Sequence, residues 1–76
     1  MDNNLLSRIT FNPLQSGGKP CVRGMRIRVA DVLSLLATGL NAEKVIEEMP
    51  DLTIDDINAC LLYAATRIDH PIIKAA

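Results

Sequence analysis

Aromatic residues are almost missing from this chain: one Phe, one Tyr and no Trp among 76 positions. The core must therefore be built from Leu, Ile, Val and Ala, within an apolar share of 49%. Cysteine is nearly missing too. Cys21 and Cys60 form no C-x-x-C pair and no signal-peptide pattern is present, so neither a disulfide framework nor a zinc site is expected. Reduced thiols in a cytoplasmic protein fit this usage. No apolar run approaches the ~20 residues of a membrane helix, so no membrane association is expected. His70 is the only histidine. It stands beside Pro71 with no Cys or carboxylate at ligand spacing, and it reads as a cap or surface residue rather than a base or metal ligand.

What is present is short and strongly patterned. The 76 residues make a single domain over 1–76. A chain of this size buries a modest core, and association is a common remedy, so a homodimer or an obligate partner is expected. The formal net charge is −1, yet the charges are divided. Residues 1–30 hold five basic side chains against one acidic, and residues 31–76 hold three against eight. Such a split suggests two faces with different partners, or simply uneven placement.

Arg8-Ile-Thr-Phe11 is β-branched and alternating, which suits a short strand. Asn12-Pro13 and Gly17-Gly18 mark a loop, and Cys21-Val22-Arg23 can return as a second strand. Met25-Arg-Ile-Arg-Val29 alternates strictly. If extended, it packs Met25, Ile27 and Val29 on the body and turns Arg26 and Arg28 outward. Residues 8–29 thus form a β arm or hairpin, residues 30–68 a three-helix unit and residues 69–76 a tail.

Helix one is expected over about Ala30–Thr38. Val29, Val32, Leu33, Leu36 and Leu40 keep helical spacing, and Gly39 is the stop. Helix two starts at Asn41 as N-cap with Glu43 in its first turn, uses Val45, Ile46 and Met49 as its apolar face, and closes at Pro50. Helix three starts at Thr53 with Asp56 at the capping-box position, and Asp69-His70-Pro71 ends it. Ile54, Ile57, Leu61, Ala64, Ala65 and Ile68 form its expected inner stripe. Ala59, Cys60 and Leu62 widen that stripe, which suggests a central helix or one covered by a second chain. The expected fold is mainly α, and helices two and three have helix-turn-helix proportions.

Catalytic constellations fail one by one. Gly17-Gly-Lys19 lacks the P-loop spacing, and Pro20 stands where Ser or Thr would bind magnesium. Asp55 and Asp56 are adjacent and diverge on a helix, so they read as dipole-compensating caps. The two thiols have no second histidine to form a dyad. No enzyme activity, cofactor or metal is expected.

The basic window remains. Lys19, Arg23, Arg26 and Arg28 fall within ten residues on a glycine-bearing segment, the kind of group that contacts phosphates. The competing reading is a charged strand edge that deters aggregation. The third helix opens Thr-Ile-Asp-Asp, and carboxylates there would repel phosphates, so any DNA contact is expected from the arm.

Gly18-Lys-Pro-Cys-Val-Arg-Gly-Met-Arg-Ile-Arg-Val-Ala-Asp-Val, Leu35-Leu-Ala-Thr-Gly-Leu, Pro50-Asp-Leu-Thr-Ile-Asp-Asp-Ile and Leu62-Tyr-Ala-Ala occur in that order. Together they resemble the bacterial domain-of-unknown-function family 433, over roughly Arg8 to Ala65. Met25 stands where that family usually has Thr, and Arg28 where it often has Pro. The resemblance implies a homeodomain-like three-helix (helix-turn-helix) unit with a short N-terminal β element. It further implies an antitoxin of a type II toxin-antitoxin system, dimeric, binding operator DNA and masking a PIN-like ribonuclease toxin. On that reading Lys19, Arg23, Arg26 and Arg28 would bind nucleic acid. Glu47, Glu48, Asp51, Asp55 and Asp56 would face a basic toxin rim, against the plainer reading of carboxylates that serve solubility. The alternative for the whole chain is a protein-interaction or homo-oligomeric module with no nucleic-acid role.

Overall fold

A computed structural model describes residues 5–68. The expected helix end at Asp69-His70-Pro71, His70 itself and the 69–76 tail lie outside the described residues. The chain runs through a 3-10 turn at Leu6–Arg8, strand β1 (Ile9–Thr10), a second 3-10 turn at Ser16–Gly18, strand β2 (Cys21–Val22) and helices α1 (Val29–Ala37), α2 (Ala42–Glu48) and α3 (Ile54–Ile68). The fold is mainly α, with a two-stranded β element at its N-terminal side, and the three helices pack on one another pairwise. A homeodomain-like three-helix unit is compatible with this arrangement.

β1 and β2 are antiparallel, with Ile9 opposite Val22 and Thr10 opposite Cys21. Met25–Val29 is not a strand. The chain reverses right after β2 in a tight turn, closed by the Met25 amide donating to the Val22 carbonyl at 2.8 Å. Arg23 (φ 48°) and Gly24 (φ 72°) occupy its two central positions. Positive φ at both is the type I′ turn, whose twist suits a hairpin. The returning segment touches β2 only briefly, through the Val22 amide on the Ile27 carbonyl and a single bridge between Cys21 and Arg28. α1 then begins at Val29. The alternation of Met25 and Ile27 still serves packing, since both lie partly buried against the core.

The helices follow the capping chemistry closely. α1 begins one residue before the expected start and ends one before the expected end, with Gly39 (φ 102°) just past it. The Asn41 side chain caps α2 by accepting from the Lys44 amide at 2.9 Å. The core comprises Ile9, Val22, Val29, Val32, Val45, Leu52, Ile57, Ala59 and Cys60, with Leu33, Leu36, Leu40, Ile46 and Met49 packed partly around it. Both cysteines are free and buried. Burial pushes the Cys60 thiol up to about 11, with the nearby Asp56 charge acting in the same direction, so it stays protonated at neutral pH.

The inner face of α3 differs from the expected stripe. Asp56, Ile57, Ala59 and Cys60 are its buried residues, whereas Ile54, Leu61 and Ile68 are 46%, 47% and 84% exposed. The apolar residues of α3 cover more than half its circumference, so periodicity marks two stripes without saying which faces inward. The short α1 and α2 and the N-terminal arm cover only one of them.

Candidate functional site

Asp56 sits in the first turn of α3 with no exposed surface, the only buried charged or polar side chain among the described residues. Leaving a carboxylate buried without partners would cost several kcal/mol. It is fully partnered instead. Arg23 donates from Nε to Oδ1 at 3.0 Å and to Oδ2 at 3.2 Å, and from Nη2 to Oδ2 at 2.8 Å. Arg8 donates from Nη1 to Oδ1 at 3.0 Å. The Thr53 amide donates to Oδ2 at 2.9 Å, and the Asp56 amide donates back to Thr53 Oγ1 at 3.2 Å. These last two hydrogen bonds are a reciprocal capping box, made by Asp where Glu or Gln is usual.

One carboxylate therefore does two jobs. It caps the helix that carries it, and it ties the N-terminal arm to that helix through residues 48 and 33 positions away in sequence. The Arg23 Nη2 also donates to the Asp51 carbonyl at 2.7 Å, which attaches the hairpin to the α2–α3 connection. A forked guanidinium can meet all three acceptors at once, and a lysine cannot. Burial alone would push the Asp56 carboxyl up. The hydrogen bonds from Arg23, the Thr53 amide and Arg8, with the Arg23 charge, outweigh it and hold the group at about 2.

The basic window is thereby divided. Arg23 is committed to Asp56. Arg28 is half-buried at the N-cap of α1, its Nε 3.5 Å from Asp31. Lys19 and Arg26 are exposed and form no ion pair among the described residues. The charge split between the two halves of the chain is not simply two outward faces, because Arg8 and Arg23 of the first half meet Asp55 and Asp56 of the second.

The acidic group divides as well. Asp56 is buried and cannot face a partner, because its oxygens are filled by Arg23, Arg8 and the Thr53 amide. Glu47, Glu48, Asp51 and Asp55 are exposed around the end of α2 and the start of α3. Among them Asp55 lies 3.6 Å from Arg8 and Glu47 lies 3.5 Å from Lys44. Nothing in its sequence context singles out Arg8. The signal that points to it is Asp56 itself: a carboxylate in the first turn of α3, once buried beside Ile57, needs cations from elsewhere in the chain. The chain's two aromatic rings also meet, Phe11 and Tyr63 lying 5.9 Å apart at an interplanar angle of 56°, with Phe11 half-exposed. Among the described residues no cluster of His, Cys, Asp or Glu is suited to a metal ion, and no helix is long and apolar enough to cross a membrane.

The likeness to known proteins extends over most of the chain rather than over the basic window alone. The chain is 38% identical over 56 residues to the uncharacterized protein y4eO of Sinorhizobium fredii (strain NBRC 101917 / NGR234). That alignment covers 74% of this chain and 25% of the relative, so the chain spans about a quarter of the relative's length. No solved structure shows a significant match. Residues 9–64, from β1 through most of α3, match the family described as protein of unknown function (DUF433), and the chain belongs to that family.

Proposed function

We propose that this domain is a non-catalytic, cytoplasmic binding module of the antitoxin type, whose partner is a PIN-like ribonuclease engaged at the carboxylates around the α2–α3 connection. The observation that carries the reading is the sorting of the acidic residues. Asp56 is withdrawn into the interior to hold the arm, while Glu47, Glu48, Asp51 and Asp55 remain at the surface around one connection. A ribonuclease must attract phosphates to its mouth, so that mouth is basic. A rim of carboxylates can cover it and compete with RNA for it.

The test is co-expression of the whole chain with a PIN-like ribonuclease encoded by a neighbouring gene of the same genome. Copurification is expected. The Glu47→Lys, Glu48→Lys variant should lose at least tenfold in affinity, with a thermal midpoint close to the parent's. A complex unaffected by both reversals would remove the acidic rim from the reading, and failure of the parent to bind would remove the ribonuclease.

A second reading, operator DNA, rests on Lys19 and Arg26, which are exposed and not paired among the described residues. Arg28 can join them by leaving Asp31, since an exposed pair of this kind is worth under about 1 kcal/mol.

A further inference from the structure

The only two aromatic rings of the chain lie together at the far end of β1, and one of them is open to solvent. β1 runs alongside α3 in the same direction. Arg8, just before the strand, reaches Asp56, and Phe11, just after it, meets Tyr63 at 5.9 Å. Three residues of extended chain and seven of helix both advance ~10 Å, so the two elements keep in step. Phe11 is still 56% exposed, because Tyr63 covers only one side of its ring. The segment that carries the ring is held in place. Beyond it the chain turns back: the Leu14 amide donates to Asn12 Oδ1 and the Gln15 amide to the Asn12 carbonyl, both at 2.9 Å. Gln15 Nε2 then donates to the Gly24 carbonyl at 2.9 Å, which fastens this loop to the hairpin turn.

Two cations stand near the ring. The β1–β2 register continued by one residue sets Phe11 level with Pro20. A Cβ at Gly18 would lie 3.7 Å from the Pro13 Cα, so the two chains stay side by side past the ladder, with Lys19 between those levels. Arg67 follows Tyr63 by one turn, ~6 Å along α3 and within ~40° around it. Both cations are exposed, and neither forms an ion pair among the described residues. Neither residues 9–30 nor residues 57–68 contain an acidic side chain. We infer that Phe11, backed by Tyr63 and flanked by Lys19 and Arg67, is a stacking site for an unpaired base of single-stranded nucleic acid. A ring with one free face accepts the π face of any base, and the cations beside it meet the phosphates of the same strand. A duplex offers no such face, since its bases are stacked on one another. No contact in this set needs a 2′-hydroxyl, so DNA and RNA strands both suit it.

The stacking site goes beyond the ribonuclease and operator readings. It uses Phe11, Tyr63 and Arg67, which neither of them names, and shares only Lys19 with the operator surface. The experiment is fluorescence anisotropy of the whole chain with labelled oligothymidylate and oligouridylate at low salt, beside the thymidylate strand annealed to oligoadenylate. The parent should bind both single strands at least tenfold more tightly than the duplex. Phe11→Ala should weaken single-strand binding about tenfold, within the range for one base removed from an aromatic platform. The chain has no tryptophan, so Phe11→Trp places a lone indole at the site. This variant should keep the parent's affinity and thermal midpoint, and its emission should be quenched as the strand binds. Arg67→Ala should lower the slope of log affinity against log salt by roughly 0.7, the share of one phosphate on a single strand. Equal affinity for duplex and single strand, or an indole at position 11 that a bound strand leaves unquenched, overturns the site. Duplex binding that Arg26→Ala weakens, with no single-strand binding, would leave the operator reading standing and overturn the stacking site alone. Attachment to phosphatidylserine vesicles with neither strand bound would assign the ring to a lipid surface and overturn it as well.

Discussion

Arg23 and Arg26 are three residues apart in one basic window, and the fold treats them in opposite ways. Arg23 bends into a left-handed conformation and gives its guanidinium to a buried carboxylate and a backbone carbonyl. Arg26 stands in solvent. The two have the same charge and belong to the same short segment. They differ in what lies across the fold: Asp56 is within reach of one and not of the other. A cluster of arginines in a sequence is therefore not one object. The part that meets a buried acid is architecture, and only the remainder is available for a ligand.

Removing the centre of the lock should show the contrast most strongly. Asp56→Ala deletes the cap and leaves Arg8 and Arg23 without their shared partner. We expect a loss of about 3 kcal/mol in urea unfolding, as for other buried pairs broken from one side. Arg23→Lys should recover little of the loss caused by Arg23→Ala, because an ammonium cannot span Asp56 and the Asp51 carbonyl together. Arg26→Ala should change the stability measured in urea by under about 0.5 kcal/mol. Equal effects at positions 23 and 26 would erase the distinction.

The next effect is a pH dependence. Asp56 is lowered from 3.8 to about 2 in the folded chain. A depressed carboxyl contributes stability that is fully present above about pH 4 and is lost as pH falls through 4 toward 2. At 1.36 kcal/mol per unit, the contribution is roughly 2 kcal/mol. Asp56→Asn should flatten the stability profile between pH 5 and 2, whereas Arg26→Ala should leave its shape intact. An unaltered slope in Asp56→Asn would show that the acid sensitivity originates elsewhere.

Gly24→Ala isolates the turn from the lock. An added Cβ meets nothing within 4 Å, so its whole cost is the left-handed backbone at φ 72°. A loss of about 1 kcal/mol is expected in thermal unfolding. The smallest stability effect belongs to Lys19→Ala with Arg26→Ala. This variant should fold like the parent, yet bind DNA more weakly and lower the slope of log affinity against log salt by roughly 0.9 for each phosphate no longer neutralised. A parent chain that binds no DNA at low salt would end that reading, and Arg26 would then be an arginine that only keeps an edge soluble.

Much of the fold is legible in the sequence because its signals are local. Asn41, Gly39 and the Thr53/Asp56 pair mark helix ends through hydrogen bonds within a few residues, and they delimit α1 and α2 to within a residue or two, together with the start of α3. Met25–Val29 departs from the expected strand for an equally physical reason. Its alternation is real and its apolar members do face the core, but Arg23-Gly24 turns the chain so sharply that only Arg28 bridges to β2. The stripe of α3 escapes sequence reasoning because Ile54, Leu61 and Ile68 are as apolar as the residues that are buried, and hydrophobicity has no direction until other elements arrive. Of the candidate site, Lys19, Arg26 and the exposed carboxylates are identifiable as charged surface. The commitment of Arg23 is not, since its acceptor is 33 residues away.

The sequence by itself determined the helical class, the helix caps, the aliphatic core and membership in a family. These follow from short-range hydrogen bonding, the period of apolar residues and the recurrence of motifs. The tertiary structure alone decided which carboxylate is buried, which two arginines serve it, and which stripe of α3 is left uncovered. Those outcomes depend on which groups approach across the fold, and burial multiplies the strength of a charge interaction in a way that no spacing along the chain encodes.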